Sequence, residues 1–127
     1  MKIASLIGRY LLGIIFLIFG LNGFLHFIPM GPMPTGLAGQ YMGVMAASGY
    51  MVAVFAVQLI CGVLFLVNRF VPLALVLIAP VIFNILLFHS LMQAQGLPPG
   101  LLATACWLLV AASHRAAFEG ILQSKSA

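Results

Sequence analysis

Charged side chains are scarce in this chain. Aspartate does not occur, Glu119 is the only acidic residue, and charged residues make up 5% of the 127 positions, against about 25% in soluble domains. The hydrophobic fraction is 65%, and no long apolar run contains a carboxylate. This composition excludes an ordinary soluble domain and predicts an all-α integral membrane protein.

The basic residues are confined to three places. Lys2 and Arg9 lie near the start, Arg69 lies in the middle, and Arg115 and Lys125 lie near the end. Cytoplasmic connections of membrane proteins retain Lys and Arg, whereas translocated connections lose them. We therefore expect four crossings of the membrane, with both termini and the Arg69 turn in the cytoplasm.

The apolar runs predict a single domain, residues 1–127, that forms a four-transmembrane-helix bundle. The expected spans are at about residues 5–27, 50–67, 70–92 and 101–117. Between the first two, segment 37–48 is interrupted by polar and small residues, which predicts a short helix at the outer membrane interface. The alternative is one long helix over 37–67. Pro80 predicts a bend in the third span, where a neighbouring helix would satisfy the freed carbonyl of Val76.

Several classes of ligand and partner are excluded or disfavoured. Cys61 and Cys106 lie inside apolar segments and form neither a C-x-x-C pair nor a cluster with histidine, so no metal site is predicted. The basic residues do not form one face, which argues against a nucleic-acid partner. The expected partners are the lipid bilayer, a membrane or peripheral redox protein, and further copies of the chain.

Five polar side chains fall inside the expected spans and are the candidate ligand-binding residues, because polar groups are costly at membrane depth. They are Asn22, His26, Gln58, Asn84 and His89. The span directions place Gln58 near the middle and the other four in the outer half, so all five converge in depth. Asn22 and His26 share a helix face. Asn84 and His89 are five residues apart, so they cannot both point fully at one target.

This polar layer is compatible with several functions. Amide and neutral imidazole groups can donate to a quinone or a lipid headgroup, which suits a membrane redox subunit. The same groups can instead form interhelical hydrogen bonds or contact interfacial water. A haem between the two histidines is disfavoured because nothing else in the chain supports one. No cofactor is evident and no catalytic residue is assigned, since acid–base chemistry would rest on histidine alone. An autonomous enzyme is thus disfavoured.

Five strings of this sequence resemble the DoxX family of small bacterial membrane proteins. They are RYLLGIIFLIFG (9–20), LNGFLHFIP (21–29), ASGY (47–50), QLICGVLFLVNR (58–69) and APVIFNILLFHSLM (79–92). The resemblance covers about residues 5–118 and implies a four-helix inner-membrane bundle. Some relatives are linked with thiosulfate:quinone oxidoreductase as its small subunit, and others with membrane complexes that handle oxidative and thiol stress.

Relatives in the DoxX family usually carry a glutamate where this chain has Gln58. An amide cannot exchange a proton near neutral pH, so a proton-linked role is not expected at this position. The resemblance implies an accessory or redox-associated subunit that contacts a quinone, a lipid or a partner protein. The alternatives are a small oligomeric transporter, although no span contains a carboxylate, and a structural membrane partner without its own ligand.

Overall fold

The computed structural model describes residues 2–29 and 31–125, and within these residues the chain is helical with no strand. The helices are α1 (Lys2–Leu25), α2 (Gly36–Ala47), α3 (Tyr50–Val67), α4 (Val71–Leu91), α5 (Leu97–Ser113) and the single turn α6 (Arg115–Phe118). A 3₁₀ turn, Ala94–Gly96, leads directly into α5. A backbone that is helical throughout each apolar run satisfies its own hydrogen bonds, as lipid requires.

Among the described residues, four segments are long and apolar enough to cross a membrane. They are Lys2–Leu25, Tyr50–Val67, Val71–Leu91 and Ala94–Ser113. This confirms the prediction of an all-helical protein with four helices that are long and apolar enough to span a membrane. The fourth of these helices, α5, begins earlier than the expected residue 101, because Pro98 and Pro99 lie in its first turn. Residues in a first turn do not need an N–H group for helical hydrogen bonds, so proline fits there.

A break separates α2 from α3. Gly49 has φ +79°, a left-handed conformation that cannot continue a right-handed helix. The amide of Ser48 still bonds to the carbonyl of Val44, so α2 closes before the break. The alternative of one helix over 37–67 is therefore wrong.

The spanning helices form a ring in which neighbours are antiparallel. The hydroxyls of Ser5 and Ser113 lie 2.6 Å apart, which places the start of α1 beside the end of α5. The Arg9 guanidinium bonds to the carbonyl of Phe65, which places the start of α1 beside the end of α3. The order around the ring is α1, α3, α4, α5. The start of α1, the end of α5 and the α3–α4 turn thus lie at one end of the bundle, which we call the basic end.

The buried core lies toward the basic end. All four spanning helices contribute to it, and most of its side chains are 0 to 3% exposed. Its central members are Leu12, Phe16, Cys61, Phe65, Leu75, Ile78, Cys106 and Val110. This layer closes the basic half of the ring to ligands.

Glycines set the close approach of α1 and α3. A Cβ atom on Gly62 would lie 2.5 Å from the backbone nitrogen of Leu17, and one on Gly20 would lie 2.8 Å from that of Leu59. Small residues of this kind let helix backbones approach in lipid, where apolar side chains gain little by leaving the tails.

Arg9 is buried within the basic half and is only 8% exposed. The last turn of α3 leaves the Phe65 carbonyl without its usual amide donor, because the amides of Asn68 and Arg69 both bond to Leu64. The Arg9 guanidinium supplies the missing donor and adds a positive charge at the negative end of the α3 dipole. Arg9 therefore connects α1 to α3.

Pro80 lies inside α4, as the sequence predicts. The indole N–H of Trp107 on α5 donates to the carbonyl of Leu75 at 2.9 Å. The sequence predicts that a neighbouring helix satisfies the carbonyl of Val76. In the structure the neighbouring helix instead donates to the adjacent carbonyl, that of Leu75. This bond joins α4 to α5 about one and a half turns before the proline.

Candidate ligand-binding site

A cavity of about 640 Å³ lies in the half of the bundle away from the basic end. Its walls come from α2, from positions 50–58 of α3 and from positions 80–89 of α4, with Met33 from the preceding loop. None of its lining residues carries a formal charge. Its volume lies within the range of about 300–1,000 Å³ that is usual for small-molecule sites.

Gln58 is the most enclosed polar group of this cavity, with 6% of its surface exposed. Among the described residues its amide has no hydrogen-bond partner. No side-chain nitrogen or oxygen of the described residues is both fully enclosed and without a hydrogen-bond partner. The unbonded amide of Gln58 is therefore accessible from the cavity. Gln58 therefore offers both a donor and an acceptor to a molecule in the cavity.

Asn84 lines the same cavity from α4. Its Nδ2 atom donates to the carbonyl of Pro80 at 2.9 Å, within its own helix. This bond uses one N–H and leaves the second N–H and the Oδ1 acceptor free for other partners. We call Gln58 and Asn84 the amide tier of the cavity.

His89 lines the cavity one and a half turns beyond Asn84, and its ring is held in one orientation. Its Nδ1 atom lies 2.9 Å from the carbonyl of Gln93, and the ring packs against Gly96 and edge-on to Phe88. A carbonyl can only accept, so Nδ1 carries the hydrogen. In the neutral ring, Nε2 then keeps its lone pair.

Methionine and aromatic side chains form much of the remaining wall. Four methionines contribute, namely Met33, Met42, Met45 and Met51. The rings of Tyr41 and Phe88 lie 5.2 Å apart across the α2–α4 boundary. We call the four methionines together with His89 the thioether tier. Along α3, Met51 and Gln58 are seven residues apart, a rise of about 10 Å, so the two tiers lie at different depths.

The structure does not bring Asn22 and His26 to this cavity. Asn22 is 6% exposed, and its Oδ1 accepts the amide of Ile28 at 2.7 Å, which closes the loop after α1. His26 is exposed, has φ +53°, and its amide bonds to the carbonyl of Asn22. Both residues shape the end of α1, whereas Gln58, Asn84 and His89 share the cavity.

The cost of polar groups at membrane depth singles out polar side chains, so it does not predict the methionines as site residues. Their signal is the spacing of Met42 and Met45, which lie three residues apart and therefore on one face of α2. Among the described residues no three His, Cys, Asp or Glu side chains group closely enough to hold a metal ion. Any metal chemistry of this cavity would thus depend on thioethers.

A second, shallow groove of about 200 Å³ lies between α4 and α5. It is lined by apolar side chains, including Phe83 and Trp107, and by Thr104. The Thr104 hydroxyl donates to the carbonyl of Gly100 at 2.8 Å, so it is already engaged. This groove offers an apolar surface and no free polar group.

Comparisons of this chain with protein-family models, with curated proteins and with solved structures give no match.

Proposed function

We propose that this protein is a DoxX-like inner-membrane protein that acts as an accessory or redox-associated subunit, and that it holds an uncharged quinone or lipid molecule in the α2–α3–α4 cavity. The strings that resemble the DoxX family support this proposal. QLICGVLFLVNR contributes Gln58 to the cavity, and APVIFNILLFHSLM contributes both Asn84 and His89. The residues that carry the resemblance therefore also supply the polar lining.

The observation that carries the proposal is that Gln58 lines the cavity and has no hydrogen-bond partner among the described residues. A wholly apolar molecule that covered this amide would leave it unsatisfied at a cost of about 1–3 kcal/mol, so the cavity favours a molecule whose polar group bonds to it. Because no lining residue is charged, an ionised organic ligand would lie without a countercharge in a low-dielectric site. A neutral molecule with a carbonyl or hydroxyl group fits both conditions, and a quinone is one such molecule.

The direct test is mass spectrometry of small molecules that co-purify with the protein in native lipids. We expect a stoichiometric neutral ligand with the parent chain and its loss from Gln58→Leu. The matched control is Gln40→Leu, because Gln40 is exposed on α2 and does not line the cavity. Equal ligand content in the parent and Gln58→Leu contradicts the proposal. A homo-oligomer without ligand favours the oligomeric transporter instead.

The two histidines provide a second matched pair. His89 lines the cavity and His26 does not. His89→Ala should weaken retention of a ligand whose hydroxyl donates to Nε2 by roughly 1–3 kcal/mol, the cost of one lost hydrogen bond to a buried group, while His26→Ala should leave retention unchanged. Equal effects of the two substitutions would show that cavity lining does not decide binding.

The proposed orientation has both termini in the cytoplasm. It rests on the collection of Lys2, Arg9, Arg69 and Arg115 at the basic end, together with the rule that cytoplasmic connections keep basic residues. A reporter that is active only in the cytoplasm should work in the α3–α4 turn or after Ala127, and should fail after Pro34 or Gly96. Cytoplasmic activity after Pro34 contradicts this orientation.

A further inference from the structure

We propose that the thioether tier is a binding site for a soft monovalent cation, Cu(I). The structure describes five methionines, and four of them line a single cavity. His89 lines it as well. Residues that carry thioether and imidazole donors therefore line one cavity from three helices and a loop.

The donor types select the metal. Soft thioether ligands favour Cu(I), whereas Ca²⁺ and Mg²⁺ require oxygen ligands, usually carboxylates, and structural Zn²⁺ sites use thiolate, imidazole and carboxylate. The cavity offers no carboxylate and no thiol. A cation of single charge is also the least costly to place among neutral donors in a low-dielectric site.

His89 is prepared as a metal ligand by its hydrogen bond. Histidines that bind metals almost always donate their other ring N–H to a carbonyl or carboxylate, which fixes the tautomer and the ring orientation. The Nδ1 atom of His89 makes this bond to Gln93, and the ring is packed against Gly96. The neutral ring therefore keeps a lone pair on Nε2, the atom that would bind the cation.

The methionines approach from independent elements. Met42 and Met45 share one face of α2, Met51 lies on α3, and Met33 precedes α2. Each side chain has three rotatable bonds, so its sulfur can adjust to a bound ion.

Methionine walls also suit an adaptable apolar pocket, and substitution by leucine separates the two roles. Met42→Leu with Met45→Leu keeps the apolar surface and nearly the same volume but removes both sulfurs. An organic ligand that binds through the amide tier should stay bound to this double variant, and a cation should not. The proposal is therefore independent of the function proposed above.

The test measures Cu(I) binding by the full chain in lipid nanodiscs under anaerobic conditions, against a chromophoric Cu(I) chelator. Ag(I), which does not change oxidation state, serves as a second probe. We expect about one Cu(I) or Ag(I) per chain and no competition by Zn²⁺. The double variant should lose this binding, and Met92→Leu should retain it because Met92 lies outside the cavity. Absence of binding by the parent chain, or equal binding by the double variant, overturns the proposal.

The two cysteines require a control of their own, because thiolates also bind Cu(I). Cys61 and Cys106 are buried in the core of the basic half. A Cys61→Ala, Cys106→Ala chain should bind Cu(I) as the parent does. If that chain does not fold, extended X-ray absorption of the copper-loaded parent distinguishes the sites, since the proposal requires a nitrogen ligand from His89 that His89→Ala removes. An all-sulfur spectrum that is unchanged in His89→Ala contradicts the proposal.

Discussion

The core of the basic half and the cavity differ in how they engage a polar side chain. In the basic half, Arg9 and Trp107 each bond to a backbone carbonyl. At the cavity, Gln58 is also buried, but it has no hydrogen-bond partner among the described residues. A polar group at membrane depth stabilises the fold when a helix end or a neighbouring helix engages it, and it remains available to a ligand when none does. Stability and binding should therefore respond to different substitutions.

The largest loss of stability is expected from Gly62→Ala in the basic half. The added Cβ would lie 2.5 Å from the backbone of α1, which cannot move without separating the two helices. Overpacking of this kind costs about 3 kcal/mol in thermal or denaturant unfolding in detergent. Gly43→Ala on α2 is the control, because nothing lies within 4 Å of its Cβ position and alanine favours the helix. Equal free energies of unfolding for the two variants would show that α1 and α3 are not closely packed at Gly62.

A smaller loss is expected when Arg9 is replaced by leucine. The buried carbonyl of Phe65 would lose its only donor outside the helix, at a cost of about 1–3 kcal/mol. Arg9→Lys should retain part of this stability because it keeps the charge near the end of α3. A leucine variant as stable as the parent protein would mean that water or lipid satisfies this carbonyl.

A loss of about 1 kcal/mol is expected for Asn22→Ala, which leaves the amide of Ile28 without its acceptor. This loss should come without a change in ligand content per folded molecule, because Asn22 does not line the cavity. Unfolding and ligand content are measured on the same preparation. A fall in ligand content without a loss of stability would assign Asn22 to the binding site.

The smallest change in stability is expected for Gln58→Leu. Because the amide has no hydrogen-bond partner in the part of the chain that the structure describes, an apolar side chain of similar size should leave the ligand-free chain equally stable or slightly more stable. The weaker ligand binding of Gln58→Leu should appear only when ligand is added, as a smaller increase in melting temperature than the parent protein shows. A marked loss of stability without ligand would show that Gln58 is a structural residue of the bundle.

The sequence predicts the helices well because length and hydropathy determine which segments can cross a bilayer. The break at Gly49 also follows from a single residue, and Pro80 lies inside α4 as the sequence predicts. The start of α5 differs from the prediction, because two prolines fit into a first helical turn as readily as into a loop. The hydropathy pattern does not show whether the two prolines lie in the loop or in the first turn of the helix.

The candidate site is less predictable, because the depth of a polar side chain in the membrane does not determine which way that side chain points. Asn22 and Gln58 are equally polar and equally buried, yet one bonds to its own chain and the other reaches the cavity. That difference depends on the loop at Ile28 and on where α2 lies, which no local pattern encodes. The methionines were overlooked for a related reason, since apolar side chains are expected in every membrane span.

The bond between Trp107 and Leu75 has a practical consequence for spectroscopy. Trp107 is the only tryptophan of the chain, so all indole fluorescence comes from one position at the contact of α4 and α5. Its ring also lines the shallow apolar groove, where lipid tails are expected to lie. Emission should therefore be blue-shifted and quenched by brominated acyl chains. Separation of α4 from α5 would free the indole N–H and shift the spectrum, so the protein carries an intrinsic reporter of the distance between these two helices.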